Sequence, residues 1–574
     1  MKHFLKHFSF LATPPAFWTL TLGVILLVLV SFPAALFVAV ENSSYYWWEL
    51  FGMVGQLLVT LATLTVLAAL AIAGLLTLTG QWDVYLAWVM LKWDIFFDRR
   101  SSVTTRLRVV RQRFGLDTKD AAAKPGFLLT MAPRQMVPPM PPSRITFDDD
   151  RHVTMIAGSR AGKGRAFIIP NLAQWQGSAI VYDPSGENYA ATARYRREVL
   201  GQKVVLLDPF GVTGEQSDVW NPMAEIDFDQ DPQAIDKCHM LAESLHNETG
   251  GDPYWMHAPR KMLAMLIAYV GTRALPEQMH LGQVRDLLMT SDPAALWLAL
   301  ARNEAFDGLI RRFGESNENR HEEELASTME IARTAMKWLD SGLMTGFTKQ
   351  SSFSMRELKQ GKLSIYIVLP AGMGDTYKAW LRLLFNAAFE AMQDLSIPKP
   401  EHSTLFLMDE FPLMGRMERI KRAAGEAAKF GVKLMICAQD ISQLKEHYGD
   451  TWETFIANSG LLIMFANNDL ESQRYLSERL GKEYYKKYSR SSGNNSSSTS
   501  MTYELRDVAR PEQVANQTSR QAGDAFFFVS GMKPMRLARA NYDQWNMLAI
   551  NKQKPGETKA ANDTDALSAS VAAE

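Results

Sequence analysis

The feature that most constrains this chain is a pair of long uncharged runs near its start. Ala16 to Val40 and Val54 to Thr79 extend for 25 and 26 residues without one acidic or basic side chain. At about 1.5 Å of rise per residue, either run as a helix can cross a hydrocarbon core of about 30 Å. Buried core helices are seldom so long and uninterrupted. A cleaved leader would have a shorter apolar region and would leave the second run unexplained. The runs therefore predict a two-helix transmembrane hairpin within a membrane domain over residues 1–98. Lys2 and Lys6 precede the first run, and the connection from Glu41 to Met53 has no Lys or Arg. Lys92, Arg99, Arg100, Arg106, Arg108, Arg111 and Arg113 follow the second. Positive flanks stay inside, so both termini and the bulk of the chain are expected to be cytoplasmic, with the connection periplasmic. Tyr45, Tyr46, Trp47 and Trp48 suit an interfacial aromatic belt. The basic stretch from Arg99 to Arg113 fits contact with anionic lipid head groups, and fits simple topogenic charge equally well.

Beyond these runs the composition is that of a folded protein. Hydrophobic residues make up 47% and charged residues 21% of the chain, which excludes a disordered or collagen-like polymer. With 61 Lys+Arg against 62 Asp+Glu the net charge is −1. That gives no support for a protein that coats nucleic acid through bulk charge. The two cysteines, Cys238 and Cys437, are too few for a disulfide framework or a cysteine-rich zinc site. They read as reduced thiols of a cytoplasmic domain.

From about Leu116 short apolar strands alternate with helical patterns, which predicts a parallel α/β sheet. His152 to Ala157 runs into Gly158-Ser159-Arg160-Ala161-Gly162-Lys163-Gly164 and then into the apolar Ala166-Phe167-Ile168-Ile169. Ser178 to Tyr182 and Lys203 to Leu207 each end in Asp-Pro. Asp183 and Asp208 are thus expected at the carboxyl ends of neighbouring strands, where open α/β sheets place ligands. Residues 231–349 are helical in pattern and carry 12 basic against 17 acidic residues, an all-α domain whose charge does not favour phosphate backbones. Strands resume at Leu363–Leu369, Thr404–Met408, Lys433–Cys437, Gly460–Phe465 and Ala525–Val529. The expected organisation is one nucleotide-binding domain in two parts, 99–230 and 350–550, with the helical domain inserted between them. Ser489 to Ser500 reads as a flexible loop and 551–574 as a disordered tail.

A phosphate-binding loop needs glycines so that backbone N–H groups can curl around an anion, a lysine to neutralise it, and a helix N-terminus aimed at it. Gly158, Ser159, Arg160, Ala161, Gly162, Lys163 and Gly164, with Arg165 following, are the candidate nucleotide-binding residues. Two positions depart from G-x-x-x-x-G-K-[ST]. Ala157 replaces the first glycine, which is tolerable at negative φ. Gly164 replaces the hydroxyl that usually meets magnesium, so an acidic residue or water has more to do. The apolar strand Leu405-Phe406-Leu407-Met408 ends in Asp409 and Glu410. Such a pair supplies one carboxylate for Mg²⁺, assigned to Asp409, and one to polarise the attacking water, assigned to Glu410. The next strand ends at Gln439, whose amide fits a γ-phosphate sensor and fits equally a residue that merely closes a strand.

At these residues the chain resembles the type IV secretion coupling proteins, the TraG-like membrane ATPases of conjugation. The resemblance runs over almost the whole sequence. It includes the membrane hairpin, the phosphate loop, Gly177 to Glu187 (GSAIVYDPSGE), Leu207 to Gly211 (LDPFG), Trp220-Asn221-Pro222 and Asp252-Pro253-Tyr254-Trp255. Most specific are Asp409-Glu410-Phe411-Pro412-Leu413-Met414-Gly415-Arg416 and Gln439-Asp440-Ile441-Ser442-Gln443-Leu444. Glycine at 164 is common in this family. The resemblance implies a RecA/FtsK-type P-loop domain with an inserted all-α domain, ATP and Mg²⁺ as cofactors, and a hexamer in the bacterial inner membrane. It also implies delivery of a relaxase with its single-stranded DNA, or of protein effectors, to the secretion channel and its ATPases. Some members offer a trans-acting arginine before the glutamine strand. Here that stretch is Ala427-Ala428-Lys429-Phe430-Gly431, and Lys429, Arg422 and Arg474 are the substitutes. The expected function is a motor that hydrolyses ATP to move its cargo. The alternative is a nucleotide-gated docking receptor with little turnover, which the acidic insert keeps open. A chromosome-segregating pump is disfavoured, because no small DNA-reading module follows the motor domain.

Overall fold

A computed structural model describes residues 126–543 and Leu548, apart from 133–134, 137–138, 141–142, 248–252 and 494–495. The two uncharged runs, the basic stretch after them and the tail at 551–574 lie outside the described residues. Among the described residues no helix is long and apolar enough to cross a membrane. The chain divides into two compact units, Met1–Ser101 with Ala132–Ser143, and Ser102–Met131 with Arg144–Glu574. Of the first, a two-rung antiparallel pairing of Gln135–Met136 with Pro139–Met140 is described.

The second unit is organised by a nine-stranded sheet. Its strands are β1 (His152–Ala157), β2 (Ala179–Tyr182), β3 (Lys203–Leu207), β4 (Leu363–Ile367), β5 (Thr404–Met408), β6 (Val432–Ala438), β7 (Ser459–Phe465), β8 (Asp524–Val529) and β9 (Met535–Ala538). Their order across the sheet is β9-β8-β7-β1-β6-β5-β2-β4-β3. The seven from β7 to β3 are parallel, and β8 and β9 extend one edge antiparallel. Every residue of β1, β2, β4, β5, β6 and β7 is buried. Helices cover both faces of such a sheet, which is why these strands are predominantly apolar with no alternation.

Chain order and sheet order differ in several places, and one of them separates the two Asp-Pro strands. The two Asp-Pro strands, β2 and β3, are not neighbours. β4 returns from beyond the helical segment and pairs with both, Tyr182 and Leu207 each lying opposite Ile367.

Between β3 and β4 the described chain forms helices and turns and no strand. Pro253–Arg273 is its centre, with Met262 to Ala268 buried without interruption. It packs against Ala234–Leu245 and Glu322–Met336. A helix buried all round needs no amphipathic stripe, and this one has neighbours on several sides. Both cysteines are free and buried.

The Ser-rich segment is not a loop. Lys482–Gly493 and Ser496–Asp507 form an antiparallel ribbon, with Ser489 opposite Ser500 and Gly493 opposite Ser496. Backbone ladder bonds do not need apolar side chains, and cross-strand Ser/Thr pairs favour such a ladder.

Candidate functional site

The site is built at the carboxyl ends of β1, β6, β5 and β2. Register fixes their relative height: Ala438 lies opposite Ile156, Ile436 opposite Met408, and Met408 opposite Tyr182. Of the residues that follow, Asp409 and Asp183 are level with each other, while Gln439 and Gly158 stand two and three residues further along the strand direction. β6 intervenes between the loop strand and the acid strand, so Gln439 stands between the two halves of the site.

Each departure in the loop has a local explanation. Ala157 is buried and is not among the residues with positive φ, so an alanine is accommodated. Gly158 cannot change, because a Cβ there would stand 2.3 Å from the carbonyl oxygen of Ala466. Gly162 adopts φ +92°, a conformation that strains any side chain. Ser159 and Arg160 are exposed. The loop is braced from the far end of the chain. Buried Arg539 donates to Ala161 O (2.7 Å), Ser519 O (2.9 Å) and Arg520 O (3.1 Å), and its guanidinium lies 5.0 Å from the Phe465 ring centre. After Lys163 the helix opens with a wide turn, Gly164–Ile168, continues as α1 (Ile169–Gln174), and has no side-chain cap. Uncapped N–H groups at a helix start are donors for an anion. Arg165 turns outward and donates to Asp543 Oδ1 (2.6 Å).

Lys163 reaches across to the acid strand. Its Nζ donates to Glu410 Oε1 (2.8 Å) and lies 3.8 Å from Asp409 Oδ1. Gln439 Nε2 donates to the other Glu410 oxygen (2.9 Å). Glu410 is held at φ 68°, ψ 50°, left-handed backbone that costs a non-glycine residue roughly 1–2 kcal/mol. This conformation sets its side chain between Lys163 and Gln439. Lys163, Asp409, Glu410 and Gln439 thus form one cluster.

A fifth member, Asp183, was expected only as a strand-end acid. It is fully buried and fixed by two donors, Tyr189 N (2.8 Å) and Asn188 Nδ2 (3.3 Å). Its partner in the Asp-Pro pattern behaves otherwise. Asp208 accepts from Val212 N (3.0 Å), Thr213 N (2.8 Å) and Thr213 Oγ1 (2.8 Å), which closes the turn after β3. Asp-Pro after an apolar strand was the signal for Asp183. Nothing local in the sequence marked Asn188 or Arg539.

Burial governs the electrostatics. It lifts Asp183 to about 7, with Asp409 adding repulsion. It lifts Asp409 to about 6, where Lys163 opposes the rise and Glu410 reinforces it. Burial alone would lower the Lys163 ammonium, but Asp409 and Glu410 outweigh it and hold the pKa above the ordinary lysine value. Asp409 and Glu410 share one lysine, and Asp409 Oδ1 is buried without any hydrogen-bond partner. A buried acceptor left unmatched is costly unless a cation or donor completes it. Among the described residues no group of three or more His, Cys, Asp or Glu is arranged to hold a metal ion. Mg²⁺ does not require one, since one or two carboxylates with substrate phosphates suffice. The donor set therefore fits Mg²⁺ at Asp409. Of the candidate trans-acting cations, Lys429 and Arg422 are exposed and lie near Glu426 (3.8 Å) and Glu243 (3.3 Å), and Arg474 is exposed.

A glycine-turned loop leading into a helix, an acid pair two strands away and an amide on the strand between define the class: a P-loop α/β nucleotide-binding fold. The family model for type IV secretory system conjugative DNA transfer matches residues 97–565, and the chain belongs to that family. Similar curated proteins include Protein VirD4 of Rhizobium radiobacter, 26% identical over 70% of this chain and 58% of that protein. Conjugal transfer protein TraG of Escherichia coli is 24% identical over 66% of this chain and 65% of that protein. The chain thus spans about three fifths of the length of the curated relatives it matches. Among solved structures, plasmid coupling protein TrwB in complex with an ATP analogue aligns over 77% of this chain and 95% of that one, with TM-score 0.54 and 15% identity. TrwB in complex with ADP and Mg²⁺ aligns over 69% and 87%, with TM-score 0.51 and 15% identity.

Proposed function

We propose that this protein is the coupling ATPase of a conjugative type IV secretion system. It is anchored in the bacterial inner membrane by a hairpin of Ala16–Val40 and Val54–Thr79, with its bulk cytoplasmic. It works as a homo-hexamer that hydrolyses ATP to pass relaxase-bound single-stranded DNA, or protein effectors, to the secretion channel. The observation that carries this reading is the Lys163–Glu410–Gln439 cluster, set beside an unpartnered Asp409 oxygen in a chain of the conjugative transfer family.

The resting contacts suggest how turnover is gated. In the structure Lys163 neutralises Glu410. Arriving β- and γ-phosphates compete for the ammonium, and a lysine that leaves Glu410 frees a carboxylate to orient water and accept its proton. Gln439 keeps hold of the second Glu410 oxygen and so restricts that carboxylate during the exchange. The loop N–H groups and the start of the helix at Gly164 hold the phosphates. Mg²⁺ held at Asp409 supplies neutralisation of the phosphate charge.

The test is phosphate release by full-length protein in detergent, with and without single-stranded DNA. Lys163→Ala and Glu410→Gln are each expected to lower turnover by a factor on the order of 100 or more. Unchanged turnover in either folded variant overturns the assignment. Turnover that is slow and indifferent to DNA overturns the motor in favour of a docking receptor.

A further inference from the structure

The loop has glycine where its pattern puts a magnesium-facing hydroxyl. A Cβ built on Gly164 has one neighbour within 4 Å, the Oδ1 of Asn188 at 3.8 Å. Asn188 stands in the first turn of α2 (Glu187–Glu198), which is entered through Gly186 at φ 73°. It is only 3% exposed.

The orientation of its amide is set by a hydrogen bond. Nδ2 donates to Asp183 Oδ1, and Asp183 cannot turn away because Tyr189 N holds its other oxygen. Because the Asn188 N–H₂ faces Asp183, the carbonyl oxygen of the same amide is directed elsewhere. That oxygen is the atom facing residue 164. The same side chain lies beside Asp409 and helps keep it ionised. Asp409 in turn keeps Oδ1 buried and unmatched. Asn188 therefore stands between the position of the missing hydroxyl and the candidate metal carboxylate, with an acceptor turned to the first.

We propose that Asn188 is a positioning residue whose carbonyl oxygen replaces the absent hydroxyl of position 164, completing with Asp409 the oxygen shell for hydrated Mg²⁺, and that Asp183 holds it in that orientation. This rests on the nucleotide site proposed above. It extends the site to the segment Asp183-Pro184-Ser185-Gly186-Glu187-Asn188, for which that reading gave no role. It also explains how a loop with glycine at 164 keeps its metal.

The experiment measures binding, not turnover. Full-length protein in detergent is titrated with methylanthraniloyl-ADP at rising Mg²⁺ and, separately, in EDTA. Asn188→Ala is expected to raise the Mg²⁺ concentration for half-maximal binding by about 10-fold or more, as outer-shell losses do, with affinity in EDTA unchanged. Adding Gly164→Ser to that variant is expected to restore most of the Mg²⁺ response, since a side chain at 164 meets only ordinary contact. Asn188→Leu, which keeps the volume, takes the place of the alanine variant if that one does not fold. An unaltered Mg²⁺ response in the folded variant overturns the proposal. So does an equal loss with and without Mg²⁺, which marks a structural role, and so does failure of the serine to rescue. A wild-type protein that binds the probe without regard to Mg²⁺ sinks the underlying site, an outcome distinguishable because it needs no variant.

Discussion

The two ends of the central sheet treat buried charge in opposite ways. At the amino ends of β1 and β6, burial pushes the His152 imidazole down to about 4 and the Lys433 ammonium down to about 8. At the carboxyl ends of β5 and β2, burial pushes Asp409 up to about 6 and Asp183 up to about 7. One cause acts at both ends, namely the expense of holding an ion away from water. What differs is completion. His152 Nδ1 accepts from Leu434 N (3.2 Å), and Lys433 donates to Asp149 O while its ammonium lies 4.9 Å from the Phe147 ring centre. Neither keeps a buried polar atom unpartnered, whereas Asp409 does. The buried charged groups of the amino end are partnered within the protein, and one carboxylate oxygen at the carboxyl end is not. A perturbed pKa alone marks burial, and a perturbed pKa beside an unmatched atom marks a candidate site.

The sharpest way to break this contrast uses the two Asp-Pro acids. Asp183→Asn keeps an acceptor for Tyr189 N but releases the Asn188 amide from its fixed orientation. The expected result is a 10- to 100-fold higher Mg²⁺ requirement for nucleotide binding. Stability should be unchanged or raised, because burial already disfavours the charged form of Asp183. Asp208→Ala should do the reverse. It removes three turn-closing bonds and is expected to cost about 1–3 kcal/mol of stability, with the Mg²⁺ requirement within about twofold of wild type. Thermal melting and the probe titration, run on both variants, give four numbers. If both variants shift the same quantity, the division between ligand-facing and turn-closing acids fails.

Acid provides the next largest test, and it acts on the amino end. His152 titrates near 6.5 when unfolded and near 4 when folded, so between those values the unfolded chain binds more protons. Stability then rises with pH. The penalty is absent above about pH 6.5, grows as pH falls through the window, and is fully developed below about pH 4. At pH 5 it should amount to roughly 1–2 kcal/mol. His152→Gln removes the titrating group while leaving an acceptor for Leu434 N. The melting temperatures of variant and wild type should coincide near pH 7.5 and separate at pH 5, the variant being higher. Parallel curves would mean that the amino end of the sheet is not where acid enters.

These contrasts also show what could be read from the sequence. Lys163, Asp409, Glu410 and Gln439 were legible because each follows an apolar run of strand length, and the parallel arrangement then brings strand ends together. The place of β4 between β2 and β3 was not legible. About 150 residues separate Leu207 from Leu363 in the chain, and only packing of the completed sheet decides where the returning strand inserts. Asn188 was missed because its role depends on an empty volume, the missing side chain of Gly164, and on the direction imposed by Asp183. Neither has a signature in a single sequence. The ribbon at 482–507 was missed because a serine-rich composition hides strand pairing that the tyrosines on either side of it, Tyr484, Tyr485 and Tyr503, could have suggested. Arg539 bonds to a loop 378 residues earlier, beyond the reach of any local pattern.

The smallest expected effect isolates burial from bond length. Lys203, the first residue of β3, donates to Glu357 Oε2 at 2.9 Å, almost the distance of Lys163 to Glu410 at 2.8 Å. The side chains of the first pair are 48% and 30% exposed, against 12% and 15% for the second. Solvent and salt screen the outer pair, and two long side chains must be ordered to make it. Lys203→Ala should therefore cost under about 1 kcal/mol. Most of that should vanish when melting is repeated at about 0.5 M salt, where the screening length is only a few ångströms. Glu357 also accepts from Ser354 N (3.0 Å), so it remains partnered when the lysine is gone and no buried charge is stranded. A salt-independent loss of several kcal/mol would show that equal bond lengths carry equal weight wherever they lie on this sheet. The distinction between its completed and incomplete ends would then lose its physical basis.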